Sequence, residues 1–248
     1  MGFSRILLTF LIIACFTGCA GFFQTEADVW RREAREEGIE VSPEGKWLTG
    51  SASYWQRKVG EFQGDNPSRK PGGIVLLGDS ITERSPFESL KDLNVINRGI
   101  GGDKIGGWKY YGLLDRMDVS VYQLEPSKLF IMIGVNDIVY AHTPEGNMKS
   151  NLKRLFRELG ENLPGSEVYV YSILPSRGTF SKYNGEISDF NRFIEGACRK
   201  FEFVYLDLHR YFTDEKGELR GDYAADALHL NKRGYTEWKK FAMPYLYK

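Results

Sequence analysis

The sequence predicts a single α/β domain of three layers, in which helices cover both faces of a five-stranded parallel sheet. Short, unbroken apolar runs recur from residue 73 onward, and such runs are typical of strands buried on both faces of a parallel sheet. Longer segments with apolar residues at helical spacing separate them, as expected of parallel strands joined by right-handed helical crossovers. A length of 248 residues suits one large domain better than two small ones.

The predicted strands follow the apolar runs in chain order. They are Ile74 to Leu77, Val95-Ile96, Leu129 to Ile133, Val168 to Leu174 and Phe203 to Leu206. Two intervening segments have an apolar helical face, made by Met148, Leu152, Leu155, Phe156, Leu159 and Leu163 in the first and by Ile187, Phe190, Phe193, Ile194, Ala197 and Phe201 in the second. A last helix is predicted after Asn231, a favoured cap residue, with Pro244 near its end.

The first residues have the features of a secretory signal. Arg5 precedes an apolar run, Ile6 to Phe16, which is too short to span a bilayer and ends in small residues before Cys19. The segment from Phe16 to Cys19 resembles a bacterial lipoprotein box, although Phe replaces the usual Leu, Val or Ile. We therefore expect a signal peptide at 1–18, export to the cell envelope and lipidation of Cys19. The alternatives are a buried N-terminal helix or an uncleaved anchor.

The rest of the chain divides into two predicted parts. Residues 19–70, which are rich in charge and glycine, are expected to form a tether and a partly helical lead-in on the edge of the domain. Residues 71–248 form the domain itself. The 33 basic and 33 acidic residues balance, and without residues 1–18 only Arg5 is lost, so no nucleic-acid partner is indicated. The membrane is expected to be a partner only through the N-terminal lipid anchor.

The three cysteines do not predict a disulfide framework. Cys15 leaves with the signal peptide and Cys19 is the expected lipid anchor. Cys198 falls on the apolar face of its helix and is expected to be a buried, inert thiol.

Polar segments follow the predicted strands, at the edge of the sheet where ligands bind in folds of this class. These segments are Gly78-Asp79-Ser80-Ile81-Thr82 after the first strand, Asn97 to Asp103 with three glycines after the second, Gly134-Val135-Asn136-Asp137 after the third, and Asp226-Ala-Leu-His229 before the last helix. They predict a catalytic site on one edge of the sheet.

The residue types in these segments fit nucleophilic catalysis. A serine hydroxyl needs a base to accept its proton, and His229 is a candidate base for Ser80. Asp226 lies three residues earlier and is close enough to bond the second ring nitrogen of that histidine. The developing oxyanion also needs donors, and the natural set is the backbone N–H of Ser80, the backbone N–H of Gly102 and the side-chain amide of Asn136.

Together these segments resemble the SGNH hydrolases, also called the GDSL esterase/lipase family, over roughly residues 73–245. The resemblance implies a flavodoxin-like fold, a serine esterase that forms an acyl-enzyme without a cofactor, and the same roles for the five residues. Members of this family deacetylate carbohydrates, cleave lipid or aryl esters, or hydrolyse thioesters.

Each residue of the candidate site also has a plain structural explanation. Asp79 and Asp137 are expected to bond backbone amides, and His142 and His209 to be surface or packing residues. The structural alternatives for the site are a helix cap at Ser80, a tight turn at Gly99, Gly101 and Gly102, a turn residue at Asn136, a capping carboxylate at Asp226 and a packing histidine at His229.

Competing motifs do not fit. Asp79 stands where a phosphate-binding loop requires lysine. The sequence contains no His-Glu-x-x-His or Cys-x-x-Cys motif, so it indicates no metal site.

The preferred function is hydrolysis of short acyl esters, acetyl above all, on carbohydrate. Trp108, Tyr110 and Tyr111 follow the Gly102 loop and are candidates for a substrate-binding wall, with packing of the next helix as the alternative. The other functions left open are an acyltransferase, a lipid or thioester hydrolase with the same triad, and a non-catalytic glycan-binding lipoprotein. The expected partner is a small-molecule or glycan ester.

Overall fold

The computed structural model describes residues 52–90, 92–106 and 111–248, and within them five strands form one parallel sheet. The strands are β1 (Ile74–Gly78), β2 (Val95–Gly99), β3 (Lys128–Met132), β4 (Glu167–Tyr171) and β5 (Val204–Leu206). Their order is β2-β1-β3-β4-β5, and every neighbouring pair is parallel. The predicted three-layer fold with a five-stranded parallel sheet is confirmed.

Helices connect the strands. They are α1 (Ala52–Asp65), α2 (Ser80–Glu83), α3 (Met117–Ser120), α4 (Val135–Val139), α5 (Glu145–Asn162), α6 (Asn184–Phe201), α7 (Leu208–Phe212) and α8 (Lys232–Leu246). The two apolar faces recognised in the sequence belong to α5 and α6. Asn231 caps α8 as expected, since its side chain accepts a hydrogen bond from the Gly234 N–H at 2.9 Å. Among the described residues no helix is both long and apolar enough to cross a membrane.

Both faces of the sheet are buried, which explains why its strands appear as unbroken apolar runs. Val75 and Leu77 belong to the core beneath α5 and α6. Leu76, on the opposite face of the same strand, packs in the core that contains Trp238 of α8. Alternate side chains of β1 therefore face two different helical layers.

Three strands differ from the prediction. The second was expected at Val95-Ile96, but β2 extends to Gly99 because its polar residues 97 and 98 continue the pairing with β1. The fourth was expected to run to Leu174, but β4 ends at Tyr171 because its pairing with β5 ends there, at Leu206. The residues beyond it, 172–177, form a loop. β5 is an edge strand, and its first residue, Val204, is 42% exposed, so the apolar run overstates how deeply this strand is buried.

Helix α1 packs beside the end of β2 and the loop that follows it. Its Trp55 and Phe62 form a small core with Ile100, and its Asp65 forms an ion pair with Arg98 at 2.8 Å. Several predicted features lie outside the described residues: the predicted signal peptide at 1–18, the predicted lipidation site at Cys19, the predicted tether up to residue 51, and Trp108 and Tyr110.

Candidate active site

Ser80 lies at the carboxyl end of β1, at the start of α2. Asp79 is the cap of this helix, and its side chain accepts the Ile81 N–H at 3.0 Å. The cap explanation proposed for Ser80 is therefore not needed, because its neighbour fills that position. The Ser80 hydroxyl is available for another partner.

That partner is His229. The Oγ of Ser80 lies 2.9 Å from Nε2 of His229, although 149 positions separate the two residues. The other ring nitrogen, Nδ1, lies 2.7 Å from Oδ2 of Asp226. The structure thus brings the three predicted residues into one continuous chain of hydrogen bonds, in which the carboxylate fixes the ring orientation.

Asp226 is held as an anion. Burial by itself would raise the pKa of this carboxyl, but the hydrogen bond and charge of His229 outweigh burial. The backbone N–H groups of Leu228 and His229 also donate to its Oδ1, at 2.8 and 2.7 Å. The pKa of Asp226 falls to about 2 as a result, so the carboxylate stays charged across the physiological range. It caps its own short turn and is not a helix cap.

The nucleophile loop and the histidine loop are tied together a second time. Tyr235, on the first turns of α8, donates its hydroxyl to the carbonyl of Ile81 at 2.9 Å. Ile81 directly follows Ser80, and α8 directly follows the His229 loop. This bond therefore fixes the distance between the two loops independently of the Ser80–His229 contact.

The loop after β2, from Ile100 to Asp103, lies beside the end of β1, which leads into Ser80. It carries the predicted oxyanion donor Gly102, and we call it the oxyanion loop. The Ile100 N–H bonds the carbonyl of Gly78 at 3.0 Å, at the very end of β1. Gly102 adopts φ +76°, a left-handed conformation that glycine tolerates best.

Asn136, on α4 beyond β3, reaches the same loop. Its Nδ2 donates to the carbonyl oxygen of Asp103 at 2.9 Å. An amide nitrogen carries two hydrogens, so this bond fixes the orientation of the amide and leaves a second N–H for another acceptor. The turn explanation for Asn136 does not account for this link across the sheet.

A buried ion pair beneath the loop was not foreseen from the sequence. The Asp103 carboxylate meets the Arg116 guanidinium at 2.7 Å, and both side chains are fully buried. Arg116 also donates to the carbonyls of Arg98, at 2.7 Å, and Gly78, at 3.0 Å. One guanidinium thus joins β1, β2 and the oxyanion loop. The only hint in the sequence is the pair of charged residues, Asp115 and Arg116, inside the otherwise apolar stretch Leu113 to Met117.

Two further buried carboxyls support the site loops, as expected. Asp79 caps α2, and Asp137 accepts the Ile105 N–H at 3.0 Å. Burial raises the pKa of each to about 7, despite the backbone hydrogen bonds. These carboxyls hold the loops, and their protonation depends on pH near neutrality.

Because these carboxyls are buried, the free energy of unfolding of the protein should depend on pH. The native Asp137 keeps its proton to about pH 7, whereas an unfolded aspartate loses it near pH 3.9. Between these values the unfolded state binds fewer protons, so this carboxyl lowers the free energy of unfolding as pH rises through the interval. We expect Asp137→Asn to gain stability relative to the parent between pH 5 and pH 8, by roughly a few kcal/mol.

Urea unfolding of both proteins at the two pH values measures this effect. Asp118→Asn, at an exposed position, is the matched control and should show the same offset from the parent at both. An offset for Asp137→Asn that is independent of pH would contradict the expectation.

The remaining residues singled out in the sequence have separate surroundings. Tyr111 is 44% exposed and stacks on Trp55 of α1, with ring centroids 4.7 Å apart. His142 is exposed and His209 half-buried, so neither joins the Ser80 site. Cys198 is buried, and burial raises the pKa of its thiol to about 12, as expected of an inert thiol. Across the described residues no cluster of three metal-binding side chains occurs.

Comparison with known proteins places this geometry in a family. The GDSL-like lipase/acylhydrolase family matches residues 76–236, a span that contains the whole candidate site. A comparison with curated proteins gives no significant match.

Three solved structures share the fold. One from Streptococcus pneumoniae, provisionally described as a platelet activating factor, is 26% identical with a TM-score of 0.70 over 78% of this chain and 93% of the other. A GDSL-like lipase from Bacteroides thetaiotaomicron is 20% identical, with a TM-score of 0.66 over 76% and 96%. An acetyl xylan esterase from Geobacillus stearothermophilus is 17% identical, with a TM-score of 0.56 over 72% and 96%. The chain belongs to the GDSL-like lipase/acylhydrolase family and is a hydrolase of ester bonds.

Proposed function

We propose that this hydrolase removes short acyl groups, acetyl above all, from carbohydrate through an acyl-enzyme on Ser80. The observation that carries the proposal is the continuous chain from Asp226 through His229 to Ser80, with contacts of 2.7 and 2.9 Å. A serine that only began a helix would need neither a histidine bonded to its hydroxyl nor a carboxylate bonded to that histidine. This arrangement supports a nucleophile, a general base and an orienting carboxylate in those roles.

Acylation follows from the same contacts. The Ser80 hydroxyl gives its proton to Nε2 of His229 as its oxygen bonds the ester carbonyl carbon. The carbonyl oxygen becomes an oxyanion, which the N–H groups of Ser80 and Gly102 and the free amide N–H of Asn136 stabilise. The intermediate then collapses, the carbon–oxygen bond to the alcohol breaks, and His229 returns its proton to that oxygen.

Deacylation repeats the steps with water. His229 accepts a proton from the water as the water oxygen bonds the acyl carbon. The bond to the serine oxygen breaks, the carboxylic acid leaves, and the proton returns to Ser80. Asp226 remains an anion throughout and stabilises the imidazolium that forms twice in each cycle. No step in this sequence calls for a cofactor.

The carbohydrate part of the proposal rests on three supports. An acetyl xylan esterase is among the proteins that share the fold. The N-terminal sequence predicts export and lipidation at Cys19, and an envelope enzyme meets acetylated glycans. Tyr111 offers a half-exposed ring stacked on Trp55, which suits contact with the apolar face of a sugar.

A substrate panel tests the proposal. Purified protein is offered p-nitrophenyl esters of two, four, eight and twelve carbons, acetylated xylan and xylo-oligosaccharides, and an acyl thioester. We expect kcat/KM to be highest for acetyl among the aryl esters, and acetate to be released from the acetylated glycan. Methanol is added in a parallel series to capture any acyl transfer as methyl acetate.

The other functions are outcomes of the same panel. Preference for the long chains would favour a lipid esterase, and preference for the thioester a thioesterase. Methyl acetate as the main product at low methanol concentrations would favour an acyltransferase. Binding of the glycan without release of acetate from any ester would favour a non-catalytic lipoprotein. Each of these outcomes contradicts the proposed function.

A further inference from the structure

We propose that helix α1, which precedes the family match, holds the oxyanion loop in its working geometry, and that Glu83 is the positioning residue that transmits this support. The inference rests on the proposed function, since it gives the loop its catalytic meaning. The loop supplies the Gly102 N–H of the proposed oxyanion hole. Residues 52–65 lie before residue 76, where the family match begins.

Glu83 connects the helix to the loop through its two carboxylate oxygens. Oε2 accepts the backbone N–H of Gly101 at 2.8 Å. Oε1 accepts the hydroxyl of Tyr54 at 2.5 Å and lies 3.1 Å from the ammonium of Lys58. Both of these partners project from α1. The carboxylate is therefore anchored on one side by the helix and holds the loop with the other.

A second contact from α1 reaches the far end of the loop. The Nε1–H of Trp55 donates to Oδ1 of Asp103 at 3.2 Å. The same indole packs with Phe62 against Ile100 at the beginning of the loop. Helix α1 thus touches the first residue of the loop, the second through Glu83, and the last.

The contact at Gly101 lies one residue before the proposed donor. A backbone N–H held by a charged acceptor fixes its peptide plane more firmly than one bonded to a neutral oxygen. The Gly102 N–H lies in the next peptide plane along the chain, which could otherwise rotate about the backbone bonds of Gly101 and Gly102, since neither residue has a Cβ. Because oxyanion stabilisation requires donors within about 2.7–3.1 Å of the oxygen, a small rotation would weaken the transition state more than the bound substrate.

The close packing of the end of β2 on the end of α2 supports this role of Glu83. A Cβ placed on Gly99 would lie 2.2 Å from the backbone nitrogen of Glu83. Only glycine therefore lets the end of β2 approach α2 closely enough for the Glu83 carboxylate to reach the loop. The contact between Glu83 and the oxyanion loop therefore depends on the close backbone approach of Gly99 to Glu83.

Two sets of variants in the full chain test the inference. Glu83→Gln removes the charge that bonds Gly101, and the pair Tyr54→Phe with Lys58→Met removes the anchor on α1 without touching the loop. We expect each set to lower kcat about tenfold with KM changed less than twofold, and the combination to be no worse than either set alone. Asn136→Ala, which removes one proposed oxyanion donor, sets the scale at about a hundredfold.

The matched control is Glu61→Gln, on the same helix. Glu61 pairs with Arg57 and Lys58 and is about half exposed, and its removal should leave kcat unchanged. The concentration of active sites in each sample is measured by titration with a fluorophosphonate. A trifluoromethyl ketone, which forms an oxyanion on the serine, should lose affinity by the same factor as kcat. A variant that was merely misfolded would lose active sites and not affinity.

A second measurement does not need activity. Amide hydrogen exchange of the peptide spanning residues 99–104 should be faster in Glu83→Gln than in the parent, while the strands exchange as before. Unchanged exchange together with unchanged kcat would overturn the inference. If the parent hydrolyses no ester, the proposed function fails on that result, and faster or unchanged exchange at 99–104 still decides whether α1 holds the loop.

Discussion

Replacement of Ser80 by alanine is expected to reduce ester hydrolysis by at least about 10⁴-fold, because the proposed reaction has no other nucleophile. The remaining oxyanion donors and substrate contacts would leave only a small residual rate. The native hydroxyl contacts Nε2 of His229 at 2.9 Å, so its removal breaks the catalytic chain at the point where the covalent bond forms. Alanine fills the same space with little change in packing.

The measurement is the rate of p-nitrophenyl acetate hydrolysis, together with the mass of the protein after fluorophosphonate treatment. The parent should gain one adduct, mapped to the peptide that contains Ser80, and the variant none. Ser68→Ala, at an exposed serine in the turn after α1, should behave as the parent. Equal rates for Ser80→Ala and the parent, with melting temperatures matched, would exclude Ser80 as the nucleophile.

Replacement of Arg116 by methionine is expected to lower the free energy of unfolding by about 3–5 kcal/mol. The cost arises because the Asp103 carboxylate, fully buried with its partner, would be left as an uncompensated charge. The carbonyls of Arg98 and Gly78 would also lose a donor. This is the largest effect on stability that a single substitution near the site should produce.

Equilibrium unfolding in urea measures the change. The double variant Arg116→Met with Asp103→Asn removes the stranded charge and should recover part of the loss. Arg154→Met is the control, because Arg154 forms an exposed ion pair with Glu158 and such pairs contribute at most about 1 kcal/mol. If Arg116→Met lowered the free energy of unfolding no more than Arg154→Met, the buried pair would not support the oxyanion loop.

Much of this molecule could be predicted from its sequence because the relevant information is local. The centres of β1, β3 and β4 are short apolar runs, since both faces of the sheet are covered. Ser80, Asn136 and His229 stand at or near the ends of elements, where function is found in this class of fold. The end of the fourth strand could not be predicted in this way, because Ile173 and Leu174 are apolar although they lie beyond the point where β4 stops pairing.

The supports of the site could not be predicted in the same way. Arg116, Glu83 and Trp55 have no local pattern that distinguishes them from other charged or aromatic residues. Their roles depend on contacts between segments that are far apart in the chain, such as Arg116 with Gly78 and Trp55 with Asp103. Tyr111 is a further example of a long-range contact. The sequence predicted its aromatic ring as part of a substrate-binding wall, whereas its stacking on Trp55 is seen only in the structure.

The hydroxyl of Tyr235 bonded to the carbonyl of Ile81 has a consequence for the timing of activity. While the chain is being synthesised, Ser80 emerges long before His229 and the helix that carries Tyr235. Until residues 229–246 have been made and have docked against the sheet, the serine lacks its base. With Ser80 as the proposed nucleophile, the nascent chain is expected to be inactive, and activity is expected to begin only when helix α8 docks and its Tyr235 bonds Ile81.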